Sequence, residues 1–162
     1  MVDDTQGNYK KLPIDAIRQE VKAEPRVECS DQELREMLKD LALAVDTKDY
    51  VPQTPTEENP ALSDDYVFDT EDENLILKDL SPENFVGKVK DLSKGAEKRR
   101  IKGFPQEYLY VFQYPCKLFR RDAQESGIFS ENILIYVKVN NRKIPFEKVF
   151  IVSFHKNRPK NN

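Results

Sequence analysis

Residues 132–139 read Asn-Ile-Leu-Ile-Tyr-Val-Lys-Val, a β-branched and aromatic run that predicts a strand. Residues 148–154 (Lys-Val-Phe-Ile-Val-Ser-Phe) predict a second strand. The polar residues 140–143 are expected to form the turn between them, so the two strands should pair antiparallel. Residues 107–114 (Glu-Tyr-Leu-Tyr-Val-Phe-Gln-Tyr) predict a third strand, which Pro115 is expected to end.

Alternation along residues 132–139 sorts the side chains between two faces of the sheet. We expect one face to pack against a helix, and its residues are Ile133, Ile135, Val137 and Val139. The other face carries Leu134, Tyr136 and Lys138. Tyr136 and Lys138 are candidates for a phosphate site, although a half-exposed face with a tyrosine and a solvated lysine would be the preferred interpretation if the pair stood alone.

Three segments have helical patterns. Residues 13–23 place apolar side chains at spacings of three and four after a proline. Residues 31–46 follow a capping box, in which Ser30 accepts from a backbone amide and Glu33 reaches back. Ser81-Pro82-Glu83 predicts the start of a third helix, whose core side is expected to hold Phe85, Val89 and Leu92.

These elements predict an α+β fold, in which N-terminal helices precede a helix packed on a small antiparallel sheet. We expect an acidic N-terminal segment at 1–74, with two helices and a Pro-rich linker at 52–60, and a basic α+β domain at 75–162. Residues 63–73 carry six carboxylates. They are interpreted as a solvated acidic loop or as an acidic strap over a basic surface.

The formal charge of −3 hides an asymmetry between the two halves of the chain. Residues 1–75 contain 20 acidic and 8 basic residues, whereas residues 76–162 contain 9 acidic and 18 basic residues. A basic half indicates nucleic-acid binding. No apolar run is long enough to span a membrane, and the N-terminus lacks a secretory apolar core, so we expect a cytoplasmic protein.

The two cysteines match no metal-ligand spacing, and His155 is the single histidine of the chain, so we expect no metal site and no cofactor. His155 follows the last predicted strand, together with Lys156 and Arg158. Histidine transfers protons near neutral pH, and the two cations suit a phosphate in transfer. A surface residue in a frayed tail is the equally weighted interpretation of His155.

Residues 94–103 are expected to form a basic, mobile loop that guides RNA. The cations proposed for that contact are Lys98, Arg99, Arg100 and Lys102, with Lys138 and Arg158 as further RNA-binding residues.

Four stretches resemble the MqsR family of toxin mRNA interferases, whose fold is related to that of RelE-type ribonucleases. They are residues 79–85, 110–115, 135–139 and 149–156. The resemblance implies a RelE/barnase-like ribonuclease toxin fold with Tyr136 as the active-site tyrosine. The family's terminal lysine falls on His155, with Lys156 next to it. Another family lysine falls on Gly87, with Lys88 as its neighbour, and a family glutamine falls near Gln113 only if that strand is slipped.

The first hypothesis for the function is a metal-independent endoribonuclease toxin that cleaves RNA by attack of the 2′-hydroxyl. Tyr136 and His155 would transfer protons, and Lys88 and Lys156 would complete the catalytic set. A cognate antitoxin or immunity protein would restrain the enzyme.

Two alternatives remain open at this point. The first is a non-catalytic RNA-binding module that stacks bases on Tyr108, Tyr110 and Tyr114. The second is an immunity or adaptor protein that acts through its acidic half. If the acidic segment is a strap, deletion of residues 1–73 should raise RNA affinity.

Overall fold

The structure is a computed structural model and describes residues 7–17 and 25–156. Its helices and strands, in chain order, are β1 (Tyr9–Lys11), β2 (Arg26–Val27), α1 (Asp31–Asp46), β3 (Tyr50–Val51), α2 (Thr70–Asp79), β4 (Phe85–Lys90), α3 (Lys94–Ile101), β5 (Tyr108–Phe119), α4 (Ala123–Ser126), β6 (Ser130–Arg142) and β7 (Lys148–Lys156). The predicted α+β class is confirmed.

The strands form a single sheet in the order β2-β4-β5-β6-β7-β3, with β1 paired to β5 beside β4. All of these pairings are antiparallel except that of β3 with β7. The three predicted strands are confirmed as β5, β6 and β7, and each extends beyond its predicted bounds.

Helices α1 and α2 cover one face of this sheet, which we call the helix face. Leu34, Met37 and Leu41 of α1 and Ile76 of α2 are buried there. The predicted apolar face of β6 is confirmed, because its side chains lie in the same core: Ile133, Ile135, Val137 and Val139. Burial of this surface is the main favourable term that holds the layers together.

The N-terminal cap of α1 forms as predicted, since the Ser30 hydroxyl accepts from the Glu33 amide at 3.1 Å. The Glu33 carboxylate does not reach back to the cap. It instead accepts from Lys88 and Tyr110 of the sheet. One half of the predicted capping box therefore serves to fasten α1 to the sheet.

The acidic segment at 63–73 is neither a solvated loop nor a strap. Tyr66 and Phe68 are buried in the core, and residues 70–73 form the first turn of α2. Asp69 and Asp72 form a capping box there. Asp72 also accepts from the backbone and side-chain amides of Asn8, at 2.8 and 3.0 Å. These carboxylates stabilise the positive end of a helix.

The helix predicted to start at Ser81 is wrong. A single 3-10 turn at Pro82–Asn84 leads directly into strand β4. The Asn84 side chain accepts from the Ser81 amide at 3.1 Å, as in a capping box, and its amide donates to the Gln113 carbonyl at 2.9 Å, which ties this single turn to β5. Leu92, which was expected in the core, is 71% exposed.

The basic loop predicted at 94–103 is also wrong, because residues 94–101 form α3. Ser93 caps this helix by accepting from the Ala96 amide at 3.3 Å. The turn predicted at 140–143 starts too early, since β6 continues to Arg142. The helix predicted at 13–23 is a turn over residues 13–17, and its remainder lies outside the described residues.

Pro115 does not end β5, contrary to the prediction. The strand continues to Phe119 because its partner changes at this point: β4 pairs with β5 as far as Phe112, and β1 begins at Cys116. The Pro115 carbonyl accepts from the Leu12 amide at 3.1 Å. The missing N–H therefore faces Leu12, just beyond the end of β1, and the only ladder hydrogen bond lost is the reciprocal one to the Leu12 carbonyl.

The predicted boundary between residues 74 and 75 falls inside α2. Residues before it supply β1, β2, β3 and α1, and residues on both sides share one core. Deletion of residues 1–73 would thus uncover the helix face, so RNA affinity is better tested with the full chain. Residues 52–60 lie outside helices and strands, and they connect parts of one core. In the parts of the chain that the structure describes, no helix has the length and apolarity to cross a membrane.

Candidate functional site

The candidate site lies on the sheet face that points away from α1 and α2, which we call the open face. Three polar side chains form one row across it, because Gln113 of β5 pairs with Tyr136 of β6, and Tyr136 pairs with His155 of β7. Paired residues on neighbouring strands point to the same face. The row therefore brings an amide, a phenol and an imidazole together.

Tyr136 and His155 are in direct contact. Their ring centroids are 5.8 Å apart and the ring planes meet at 83°, an edge-to-face arrangement. The two predicted proton-transfer residues thus share one side of the sheet. Had they pointed to opposite faces, a common catalytic role would be excluded.

The protonation pattern of the His155 ring follows from its backbone contact. Nδ1 lies 3.0 Å from the carbonyl oxygen of Lys156. A carbonyl oxygen only accepts, so Nδ1 carries the hydrogen and donates it. In the neutral ring the lone pair is therefore on Nε2, the nitrogen that can take a proton from a substrate.

Lys138 supplies positive charge beside this pair. Its Nζ lies 5.3 Å from the centroid of the Tyr136 ring, on the same face of β6. Val89, Leu109 and Val111 form a buried apolar cluster against which Tyr136 packs. Charges at the edge of such a cluster interact more strongly than charges in bulk water.

The side chain of Gln113 lies at the start of the row. Its Nε2 atom is buried and has no hydrogen-bond partner within the described part of the chain. A buried donor without a partner is costly, so this atom calls for an explanation, and a catalytic role is one of the recognised ones. The sequence placed Gln113 near this site only through the family resemblance with a slipped strand, and the strand pairing puts it opposite Tyr136.

Lys88 does not belong to this site, contrary to the prediction. Residue 88 points to the helix face, where its Nζ lies 2.6 Å from Glu33 and 4.4 Å from the centroid of the Tyr108 ring. Burial alone would raise the pKa of Glu33, but the hydrogen bonds from Lys88 and Tyr110 hold that pKa below its usual value. Lys88 is thus committed to fastening α1.

Lys156 is also separated from the row. It follows His155 directly along β7, so it points to the helix face, and its Nζ lies 2.8 Å from Glu131. Arg120 and the Tyr66 hydroxyl bind the same carboxylate. Two of the four predicted catalytic residues, Lys88 and Lys156, therefore lie on the wrong face for joint action with Tyr136.

The predicted RNA-binding cations of α3 fall into two groups. Arg99 donates to the buried Glu107, and Arg100 donates to Glu97 at 2.9 Å. Lys98 and Lys102 are exposed. Arg158 lies outside the described residues.

A buried polar network that the sequence did not reveal fixes α3 to the end of the sheet. Glu107 accepts from Asn140 at 2.9 Å and from Arg142 at 3.0 Å, and Asn140 also donates to Asp91 at 2.9 Å. Burial would raise the pKa of Glu107, but these donors and Arg99 lower it. Asn140 is four residues from Tyr136 along β6, or roughly 13 Å, so α3 borders the open face.

The tyrosines proposed to stack bases are on the helix face. Tyr114 is fully buried and donates to Asp79 at 2.6 Å, while Tyr110 donates to Glu33 at 2.7 Å. Tyr108 lies beneath Lys88. The prediction that these three rings form an exposed stacking surface is wrong.

Among residues 7–17 and 25–156, no group of three or more His, Cys, Asp or Glu side chains is arranged to hold a metal ion. No protein-family model, no curated protein and no solved structure matches the chain.

Proposed function

We propose that this protein is a metal-independent endoribonuclease of the toxin type, and that it cleaves RNA on the open face of its sheet. The observation that carries the proposal is the row of Gln113, Tyr136 and His155, with Lys138 beside it. These four side chains supply an amide donor, a phenol, an imidazole and a cation. Together they meet the requirements of phosphodiester cleavage by an internal hydroxyl.

In the proposed reaction the 2′-oxygen of a ribose forms a bond to the adjacent phosphorus while the bond from phosphorus to the 5′-oxygen breaks. His155 takes the 2′-hydroxyl proton at Nε2, the nitrogen left without hydrogen by the contact of Nδ1 with the backbone. Tyr136 gives its hydroxyl proton to the departing 5′-oxygen. The proton on His155 then returns to the tyrosinate through solvent, and the products are a 2′,3′-cyclic phosphate and a 5′-hydroxyl.

The remaining two groups stabilise the charge that develops on phosphorus. Lys138 attracts the equatorial oxygens of the phosphorane, and the Gln113 amide donates to one of them. The Gln113 Nε2 atom is buried and has no partner within the described residues, so this contact requires a neighbouring side chain to move aside when RNA binds.

The resemblance to the MqsR family supports the same function and suggests a RelE/barnase-like arrangement of the sheet. It also implies a cytoplasmic enzyme that is restrained by a cognate antitoxin or immunity protein. The basic α3 and the residue that follows it, with Lys98 and Lys102 exposed, are suited to guide the RNA towards the open face.

The test is cleavage of a fluorescent RNA by the full chain in EDTA. We expect His155→Ala and Tyr136→Phe each to lower the cleavage rate by about 10²–10⁴-fold, the usual contribution of a positioned acid or base. Tyr108→Phe and Lys156→Ala are the matched controls, because they alter a tyrosine and a lysine on the helix face.

Three outcomes separate the possibilities. Cleavage that only the open-face variants lose supports the proposal. RNA binding by the wild type without any cleavage would instead favour a binding module. Cleavage that persists unchanged in His155→Ala and Tyr136→Phe would come from a contaminant or another site, and would exclude the proposed mechanism.

A further inference from the structure

A second cation, Arg26, lies on the open face, and no sequence pattern predicted it there. Gly87 of β4 has no side chain, and the side chain of Arg26 from the neighbouring β2 occupies the space above it. A Cβ atom at residue 87 would lie 2.8 Å from Cδ of Arg26 and 3.1 Å from its Cγ and Nε. Any residue other than glycine would therefore displace Arg26.

The backbone does not require this glycine. The described glycines with positive φ are Gly7, Gly103 and Gly127, so Gly87 has a conformation open to any residue. Space for Arg26 is what the glycine provides. The pairing of Arg26 with Val89, which belongs to the apolar cluster of the open face, places the arginine on that face.

The charge of Arg26 is not used within the described chain. No carboxylate of residues 7–17 or 25–156 forms an ion pair with it, and the residue is exposed. By contrast, Lys88, the next residue after Gly87, is paired with Glu33 on the opposite face. An arginine that lies across the sheet and is not neutralised within the described chain suits an anion that comes from another molecule.

The strand pairing gives the distance from Arg26 to the proposed site. Gly87 pairs with Val111, and Val111 pairs with Lys138, so the guanidinium and Lys138 lie in one row. Gly87 and Lys138 are two strand spacings apart, or about 10 Å between their backbones. Tyr136 is two residues further along β6, so its backbone is roughly 12 Å from that of Gly87. With Arg26 in its present position above Gly87, a phosphate bound at Tyr136 lies beyond the reach of hydrogen bonds that are about 2.8 Å long.

We infer that Arg26 binds a phosphate of single-stranded RNA other than the one that is cleaved. The absence of a side chain at Gly87 allows Arg26 to lie across β4. The inference rests on the proposed function for the identity of the ligand. The fork of guanidinium donors matches two phosphate oxygens. The RNA strand would then cross the open face from the β2 edge towards β7, with Lys138 between the two contacts.

The first experiment measures binding of the full chain to a short fluorescein-labelled 2′-O-methyl oligoribonucleotide, which has no 2′-hydroxyl to attack. We expect Arg26→Ala to weaken binding about tenfold at low salt, as for a lost hydrogen bond to a charged group. The slope of log K against log salt should fall by about 0.7, the value for one phosphate on a single strand. Arg26→Lys should keep the slope and lose part of the affinity.

Gly87→Ala and Lys90→Ala provide a pair of matched variants. The methyl group of Gly87→Ala should weaken binding in the same direction as Arg26→Ala, and the double variant should be no weaker than Arg26→Ala alone. Lys90 is an exposed lysine of the same strand, and it points to the helix face. Lys90→Ala should leave the salt slope unchanged. Melting temperatures verify that all variants fold.

The second experiment compares cleavage of a dinucleotide, which has one phosphate, with cleavage of a longer RNA. Arg26→Ala should lower kcat/KM for the longer RNA about tenfold and leave the dinucleotide value unchanged. Equal losses on both substrates would overturn the inference, as would an unchanged salt slope. If no variant or wild type cleaves RNA but Arg26→Ala still lowers the slope, the ribonuclease proposal fails and the phosphate contact stands.

Discussion

Replacement of Lys88 by methionine distinguishes a residue that fastens α1 from a catalytic one. Lys88 Nζ lies 2.6 Å from Glu33, and the side chains of the two residues are 14% and 36% exposed. The variant keeps most of the length of the side chain over Tyr108 and removes the charge. We expect a loss of stability with no loss of RNA cleavage, because residue 88 points to the helix face.

The size of the loss follows from the surroundings of Glu33. Removal of one partner from a fully buried ion pair costs about 3–5 kcal/mol, whereas an exposed pair contributes at most about 1 kcal/mol. The Glu33 carboxylate is partly hydrated and keeps the 2.7 Å hydrogen bond from Tyr110, so the cost lies between these limits. We expect about 1–2 kcal/mol, which corresponds to a decrease in Tm of about 3–6 °C for a chain of this size.

Urea unfolding followed by circular dichroism measures this loss, since the chain contains no tryptophan for fluorescence. The double variant of Lys88→Met with Glu33→Gln should be less destabilised than the sum of the two single variants, because each single variant leaves the other group without its partner. RNA cleavage by Lys88→Met, measured at a temperature where the variant is folded, should match that of the wild type.

The pH dependence of stability provides an independent check. The pKa of Glu33 is lowered in the folded protein, mainly because its hydrogen bonds with Lys88 and Tyr110 outweigh the effect of burial. A depressed pKa contributes stability above the unfolded pKa of about 4.3, and this contribution is lost as the pH falls through the folded value. Lys88→Met should therefore lose less stability than the wild type on acidification below about pH 4.5.

One result would refute this reasoning. If Lys88→Met has the stability of the wild type but no longer cleaves RNA, the lysine acts on the substrate and not on α1. The separation of the two sheet faces described above would then be incorrect for β4.

Three further predictions concern the framework that holds the site. Asn84→Ala should lower the free energy of unfolding by about 1–3 kcal/mol, because it leaves the Gln113 carbonyl without its donor, and Asn84→Asp should not restore it; urea unfolding measures both. Gly7→Ala should reduce the thermal stability, since residue 7 has φ of 80° and a Cβ there would lie 2.2 Å from Asp72. Burial raises the pKa of the Cys116 thiol to about 12, so Cys116 should resist an aromatic disulfide reagent until the protein unfolds. Cys29 is partly exposed, and burial and Glu33 raise its pKa to about 11, so it should react slowly with the same reagent in the native state.

The sequence predicted those parts of the fold that depend on local pattern. The α1 helix has both a capping residue and an apolar stripe, and its predicted bounds match Asp31–Asp46. The alternation around Ile135 identified the buried face of β6 because the side-chain period of a strand is two. These features are contained within one element and need no knowledge of its neighbours.

The errors occur where a distant residue decides the local structure. Ser81-Pro82-Glu83 has the features of a helix start, but Asn84 binds the Gln113 carbonyl 29 residues away and the chain turns into a strand. The face to which Lys88 points could not be predicted once β4 was taken for a helix. For Lys156 the signal was present: adjacent residues of a strand point to opposite faces, and the predicted end of the strand at residue 154 concealed it.

The sequence predicted only some residues of the candidate site, because the others are brought there by pairing between distant strands. Tyr136 and Lys138 share a face by alternation alone, and His155 joins them only through the register of β7 against β6. To place Arg26 and Gln113 at the site, one must know the order of the strands. Arg26 lies on β2 and Gln113 on β5, whereas Tyr136, Lys138 and His155 lie on β6 and β7. Strand order depends on pairing between distant segments, which periodicity does not reveal.

The row across the open face has a consequence for synthesis of the protein. Gln113, Tyr136 and His155 come from three successive strands, and His155 is near the end of β7. A nascent chain that has emerged from the ribosome only as far as β6 lacks the imidazole and also the strand that holds Tyr136 from one side. If the row cleaves RNA, a nascent chain cannot cleave the messenger from which it is being translated until β7, its last described strand, has been made and has paired with β6.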